Sequence, residues 1–150
     1  MTLSGQIVDR LALRELSDRY AGAVDRRDVG SFAELFTDDA ELSVHQPAEA
    51  VAPSRARRGR GELAEIPRVI GRYRKTFHFL GNALYEVGDN SATGEVYCVA
   101  HHLVDEPGVL TAHVMLIRYL DDYQRHDDGR WKISRRRVLV DWTETHPAAE

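Results

Sequence analysis

The stretch TFHFLGNALYEVGDNSATGEVYCVAHH, residues 76–102, decides the fold. Its apolar residues recur with a period of two, the repeat of a β-strand whose side chains alternate between faces. Over 76–87, His78, Leu80, Asn82 and Leu84 fall on one face. Phe77, Phe79, Tyr85 and Val87 fall on the other. Gly88-Asp89-Asn90 is a turn signal, so 76–87 and 92–105 read as two paired strands. The alternation continues at 109–123 and 131–142, after Glu106-Pro107-Gly108 and Asp127-Asp128-Gly129. Four successive strands with short turns predict an antiparallel meander.

Upstream the period is different. Leu13, Leu16, Tyr20 and Val24 recur at spacings of three and four, which predicts a helix over 6–24. Asp28 or Ser31 can cap a second, short helix that carries Phe32, Leu35 and Phe36. Thr37-Asp38-Asp39 reads as a turn and 40–45 as a strand. Residues 46–61, with Pro47, Pro53 and four arginines, read as a long loop. A helix is expected from about Pro67 to Arg74. Helices followed by a meander make the class α+β, with N-terminal helices packed on a curved, mostly antiparallel sheet. Both faces of 76–87 are largely apolar. One can pack on the helices, and a partner subunit is the simplest cover for the other, which predicts a homodimer.

The chain has 150 residues, so a single domain over 1–150 is expected. Its net charge is -4, from 20 Lys+Arg against 24 Asp+Glu, which gives no general affinity for nucleic acid. Arg57, Arg58 and Arg60 read as a solvated face, and Arg135, Arg136 and Arg137 alternate across a strand. Neither run is interleaved with aromatic residues as in a nucleic-acid site. No apolar run approaches membrane-spanning length, and MTLSGQIVDR lacks an apolar signal core. Cys98 is the one cysteine, so no internal disulfide forms. A reducing, cytoplasmic location is expected. There is no HExxH motif or Cys/His cluster, so a metal site is not expected, and there is no glycine-rich phosphate loop.

The residues that carry chemistry lie in two places. Tyr20 and Asp25 stand in YAGAVDRRD, at the end of the first helix, where the helix dipole disfavours a carboxylate. His78 stands in FHFLGN and shares its face with Asn82. A polar side chain on an apolar face needs a partner, so a hydrogen-bonded core histidine and a functional one are both compatible with that position. His101 and His102 end YCVAHH, and a regular strand sends them to opposite faces. Cys98, mid-strand, reads as core rather than nucleophile.

The order of these elements resembles the SnoaL-like branch of the nuclear transport factor 2-like superfamily. The segments that carry the likeness are YAGAVDRRDVGSFAELFTDDAEL, FHFLGN, GDNSATGEVYCVAHH, IRYLDDYQR and DGRWKISRRRVLVDW. They cover about residues 5–143. The resemblance implies a cone-shaped α+β barrel with a deep pocket between sheet and helices, usually in a homodimer. Within the branch the motifs are most similar to scytalone dehydratase and bile-acid 7α-dehydratase. There a Tyr and an Asp near the end of the first helix work with a strand histidine. Tyr20 and Asp25 keep the Tyr-x4-Asp spacing, and His78 matches the strand histidine. A second active histidine falls at His102 or His101. A further substrate-binding tyrosine of scytalone dehydratase has no match, because Val24 precedes Asp25.

The resemblance implies a cofactor-independent dehydratase or isomerase/cyclase acting on a hydrophobic cyclic molecule such as a polyketide, aromatic or steroid-like compound. His78 is then the general base or acid. Asp25 orients it, Tyr20 donates to a developing oxyanion, and His102 carries the second proton. Asn82, Tyr97, His101 and Trp142 are expected to line the pocket. The alternatives are a non-catalytic ligand-binding module of the same fold and an epoxide hydrolase.

Overall fold

The computed structural model describes residues 2–150. Helix α1 spans Leu3–Arg26, three residues earlier than the apolar spacing predicts. The reason is Thr2, whose hydroxyl caps the helix by accepting from the Gly5 amide at 3.1 Å. Leu13, Ser17, Tyr20 and Val24 form its buried stripe. The helix stops at Arg27, which turns left-handed (φ 59°) and returns its N–H to the carbonyls of Ala23 and Val24. That stop leaves Asp25 in the last turn, facing the sheet.

Helix α2 (Val29–Glu34) is capped by Asp28, whose carboxylate accepts from the Ser31 amide. Strand β1 spans Phe36–His45. The turn expected at 37–39 is an irregular part of this strand, where the register against the last strand shifts between Phe36 and Glu41. The long loop expected over 46–61 also contains structure. It holds strand β2 (Arg55–Arg58) and the start of helix α3 (Gly59–Leu63). Four residues, three of them arginine, carry no alternation that a sequence reading could detect. Helix α4 (Ile66–Ile70) ends at Gly71, short of the expected Arg74.

Strands β3 (Lys75–Val87), β4 (Ser91–Glu106), β5 (Val109–Arg125) and β6 (Trp131–Pro147) form the predicted meander. The six-stranded sheet runs β2-β1-β6-β5-β4-β3, and only β1 and β6 pair in parallel. The fold is α+β, with the helices packed in the curve of a mostly antiparallel sheet. The core lies between them and is built from Leu13, Val24, Phe32, Phe36, Val96, Tyr119, Ile133 and Val140 among others. Asp9 ties the start of α1 to the sheet, accepting from Arg125 at 2.6 Å and from the Trp131 indole at 2.9 Å. No helix among the described residues is long and apolar enough to cross a membrane.

One irregularity decides which side chains reach the interior. The β3–β4 register shifts between Leu80 and Ala83, so Gly81 and Asn82 form a bulge. Before it, Thr76, His78 and Leu80 point inward. After it, Ala83, Tyr85 and Val87 do. The expected face of His78, Leu80, Asn82 and Leu84 is therefore broken. Asn82 and Leu84 are exposed, and Tyr85, expected on the outer face, is buried. The outer face still shows Phe77 and Phe79, each 62% exposed, beside Leu84, Tyr97 and Trp142.

Candidate active site

The end of α1 and the start of β3 meet at Asp25. Its carboxylate accepts three hydrogen bonds. The His78 ring Nδ1 lies at 2.7 Å from Oδ1, the His78 backbone amide at 2.9 Å from Oδ2, and the Thr76 hydroxyl at 2.9 Å from Oδ1. Arg27 braces the group, donating to Thr76 Oγ1 and to the Asp25 carbonyl, each at 2.7 Å. Burial alone pushes the Asp25 carboxyl up. The bonds from the His78 ring and amide and from Thr76 outweigh it, and the net shift is downward. Asp25 is therefore ionised at neutral pH and can only accept, so the Nδ1 of His78 carries the proton. The other ring nitrogen, Nε2, makes no hydrogen bond within the described residues. The motive for an acid at a helix C-terminus is thus local: it is held by donors from the neighbouring strand.

His78 opens onto a cavity of about 180 Å³ between sheet and helices. Tyr20, Leu42, Val44, Ile66, Ile70 and Met115 line it, with His102 across from His78. No carboxylate lines it, because Asp25 sits behind His78. The two histidine rings meet edge to face at 5.7 Å, and His102 also packs on Tyr73 at 4.7 Å. Of the adjacent pair, His102 points inward and is 5% exposed. Burial, reinforced by the neighbouring His78, lowers its pKa to about 4. It is neutral at pH 7. Tyr20 is buried among Phe32, Phe36 and Tyr119. Burial pushes its phenol up to about 12, so it stays protonated.

Four expected pocket residues lie elsewhere. Asn82, Tyr97 and Trp142 line a separate depression of about 270 Å³ on the outer face of the sheet. Asn82 is displaced by the bulge at Gly81. Trp142 is turned outward by a register shift opposite Leu116 and Ile117, where Asp141 is the extra residue. Tyr97 has the opposite parity to buried Val96 and Cys98. His101 pairs with Phe77 on the outer side, and its Nδ1 is buried without a partner. The expected core position of Cys98 holds.

Sequence reading missed the support under Tyr20. Arg136 is 0% exposed and bonds Asp121 through Nε at 2.8 Å and Nη2 at 2.7 Å, and Ser17 through Nη2 at 3.1 Å. Tyr123 donates to the same carboxylate at 2.7 Å. The guanidinium lies 4.2 Å from the ring centres of both Tyr20 and Tyr119. The signal was present. Val138 and Val140 share the parity of Arg136, so an inward Arg was legible. Among the described residues there is no group of three or more His, Cys, Asp and Glu that could hold a metal.

The low pKa of His102 predicts a pH effect on stability. The unfolded chain takes up a proton near pH 6.5, and the folded chain only near pH 4. Protons therefore favour the unfolded state between these values. Stability is full above about pH 6.5 and falls as pH drops towards 4, at up to about 1.4 kcal/mol per pH unit. Denaturant midpoints across that window, for the wild type and for His102→Gln, measure it. The wild type should lose more stability than the variant, and equal slopes would contradict the assignment.

The sequence profile of the SnoaL-like domain family matches residues 5–137. A curated relative, hexachlorocyclohexane dehydrochlorinase 1 of Sphingobium indicum, is 29% identical over 134 residues, covering 87% of this chain and 80% of the relative. Two solved structures share the fold. A candidate scytalone dehydratase from Novosphingobium aromaticivorans superposes with TM-score 0.79 at 22% identity, over 99% of this chain and 93% of its own. The hexachlorocyclohexane dehydrochlorinase LinA-type3 from Novosphingobium barchaimii superposes with TM-score 0.77 at 22% identity, over 96% and 92%.

Proposed function

This chain belongs to the SnoaL-like family, and from that premise we propose that it is a cofactor-independent acid–base enzyme that forms a double bond by elimination, or shifts one, in a hydrophobic cyclic substrate. The observation that carries this reading is the Asp25–His78 pair, with Nε2 of His78 free at an apolar cavity. Nε2 removes a proton from a carbon made acidic by an adjacent electron-withdrawing group. The electron pair left on carbon forms the new C=C bond as the neighbouring C–halogen bond breaks to release halide, or as the C–O bond breaks and the departing oxygen takes the proton back from His78 to leave as water. Asp25 stabilises the imidazolium that results. Tyr20, which lines the cavity and stays protonated, donates to a developing oxyanion in this reading.

His102 works differently from the expected second proton carrier. Its low pKa keeps it neutral, so it serves as a hydrogen-bonding group for the departing group and not as a store of protons. The family neighbours support elimination, because one is named a dehydrochlorinase and another bears a dehydratase name. The cavity favours a small substrate. At about 180 Å³ it lies below the roughly 300–1,000 Å³ usual for drug-sized ligands. A one- or two-ring body fits, whereas a steroid would project through the mouth. Epoxide hydrolysis is disfavoured because no carboxylate faces the cavity to activate water.

The test is an assay of cyclic β-hydroxy ketones and their β-halo counterparts, followed by the absorbance of the conjugated product. Elimination from at least one member is expected. Binding without any turnover would instead favour the ligand-binding module.

The outer face of the sheet is the surface we assign to self-association. Phe77, Phe79, Leu84, Tyr97 and Trp142 form an apolar patch there. Light scattering at micromolar concentration should give twice the mass of one chain, and Phe79→Lys should reduce it to one. A monomeric wild type would sink this assignment.

A further inference from the structure

We propose that the mouth of the cavity is an anion subsite, in which Arg55 and Arg57 of β2 bind a negatively charged group carried by the apolar ligand. The inference rests on reading the cavity as the substrate site. In the β1–β2 pair, Arg55 stands opposite Val44 and Arg57 opposite Leu42. Residues directly opposite in an antiparallel pair share a face. Leu42 and Val44 line the cavity, and both arginines line it with them.

The other arginines of the same segment are occupied. Arg58 pairs with Glu41 at 2.7 Å and Arg60 with Asp38 at 2.8 Å. Arg55 and Arg57 have no ionic partner and no side-chain hydrogen bond among the described residues. Within the run Arg57, Arg58 and Arg60, strand alternation therefore sends Arg58 to Glu41 and leaves Arg57 at the cavity with Arg55, while Arg60 belongs to α3 and pairs with Asp38. The cavity lining contains no Asp or Glu to neutralise them. This happens in a chain whose net charge is -4, so the rim is not the reflection of a basic protein. Charge on an edge strand also discourages edge-to-edge pairing, but that role does not require the guanidiniums to face a cavity.

Two free guanidiniums two residues apart on one strand suit a carboxylate, sulfonate or phosphate. The deeper wall accepts an apolar ring near His78. The ligand chemistry that fits both parts is an amphiphile with a compact apolar ring and an anionic substituent that stays at the mouth.

Two fluorescent two-ring probes that differ in one sulfonate test this: 5-dimethylaminonaphthalene-1-sulfonate and neutral N,N-dimethyl-1-naphthylamine. The wild type should bind the sulfonate more tightly. The Arg55→Ala/Arg57→Ala double variant should weaken the sulfonate probe about tenfold and change the neutral probe by less than about twofold. Circular dichroism checks that the variant is folded. A charge-matched control, Arg10→Ala/Arg130→Ala, should leave both probes unchanged. Added salt should weaken only the sulfonate.

Equal effects of the double variant on both probes, or an equal loss in the control, would overturn the subsite while leaving the apolar cavity in place. Failure of either probe to compete for the cavity, read from unperturbed His78 and His102 ring signals by NMR, would overturn the subsite together with the substrate-site reading.

Discussion

Turnover of an accepted substrate by His78→Gln is expected to fall about 10²–10⁴-fold in kcat/KM, the usual range for losing a general base. Glutamine keeps a polar group of similar length but cannot take up a proton. The Asp25 carboxylate retains its bonds from the Thr76 hydroxyl and from the backbone amide at position 78. Stability should therefore drop by only about 1 kcal/mol, the worth of one hydrogen bond. Activity and a thermal melt on the same preparation separate the two effects. A variant that is fully active removes His78 as the base. One that fails to fold makes the histidine structural.

Arg136→Met carries the largest expected cost to stability. The guanidinium and the Asp121 carboxylate are both fully buried, and each is the other's counter-charge. Removing Arg136 leaves Asp121 with the Tyr123 hydroxyl as its remaining side-chain donor. Breaking a buried pair from one side costs about 3–5 kcal/mol. For a chain of this length that lowers the melting temperature by about 10–15 °C. The double variant Arg136→Met/Asp121→Leu should recover much of the loss, since no uncompensated charge remains. If the single variant melts within about 2 °C of the wild type, the pair is not what supports the floor beneath Tyr20.

Most of the fold was legible because its signals are local. The period of two after Thr76 and the turn residues at Gly88, Gly108 and Gly129 define the meander. The partnership of Asp25 with His78 was legible only through the family likeness, since it joins residues 53 apart. What failed was parity carried across a bulge. Reading Asn82 with His78 assumes an unbroken strand, and one irregular pair at Gly81 and Asn82 reverses every later side chain. Trp142 was misplaced in the same way, by the extra residue at Asp141. Where the strand is regular, parity works. Val96, Cys98 and Ala100 are buried, and the same count puts His102 inside and His101 outside. Strand β2 was hidden because three arginines in four residues show no apolar alternation.

His78, held by Asp25, is the group proposed to remove a proton from carbon. Hydrogen exchange in D₂O tests it without waiting for a leaving group to depart. Cyclic ketones with an acidic α-hydrogen are incubated with wild type, His78→Gln and Asp25→Asn, and deuterium uptake at the α-carbon is followed by NMR. Uptake is expected with wild type, none above background with His78→Gln, and a strong reduction with Asp25→Asn. Equal uptake in all three would contradict it.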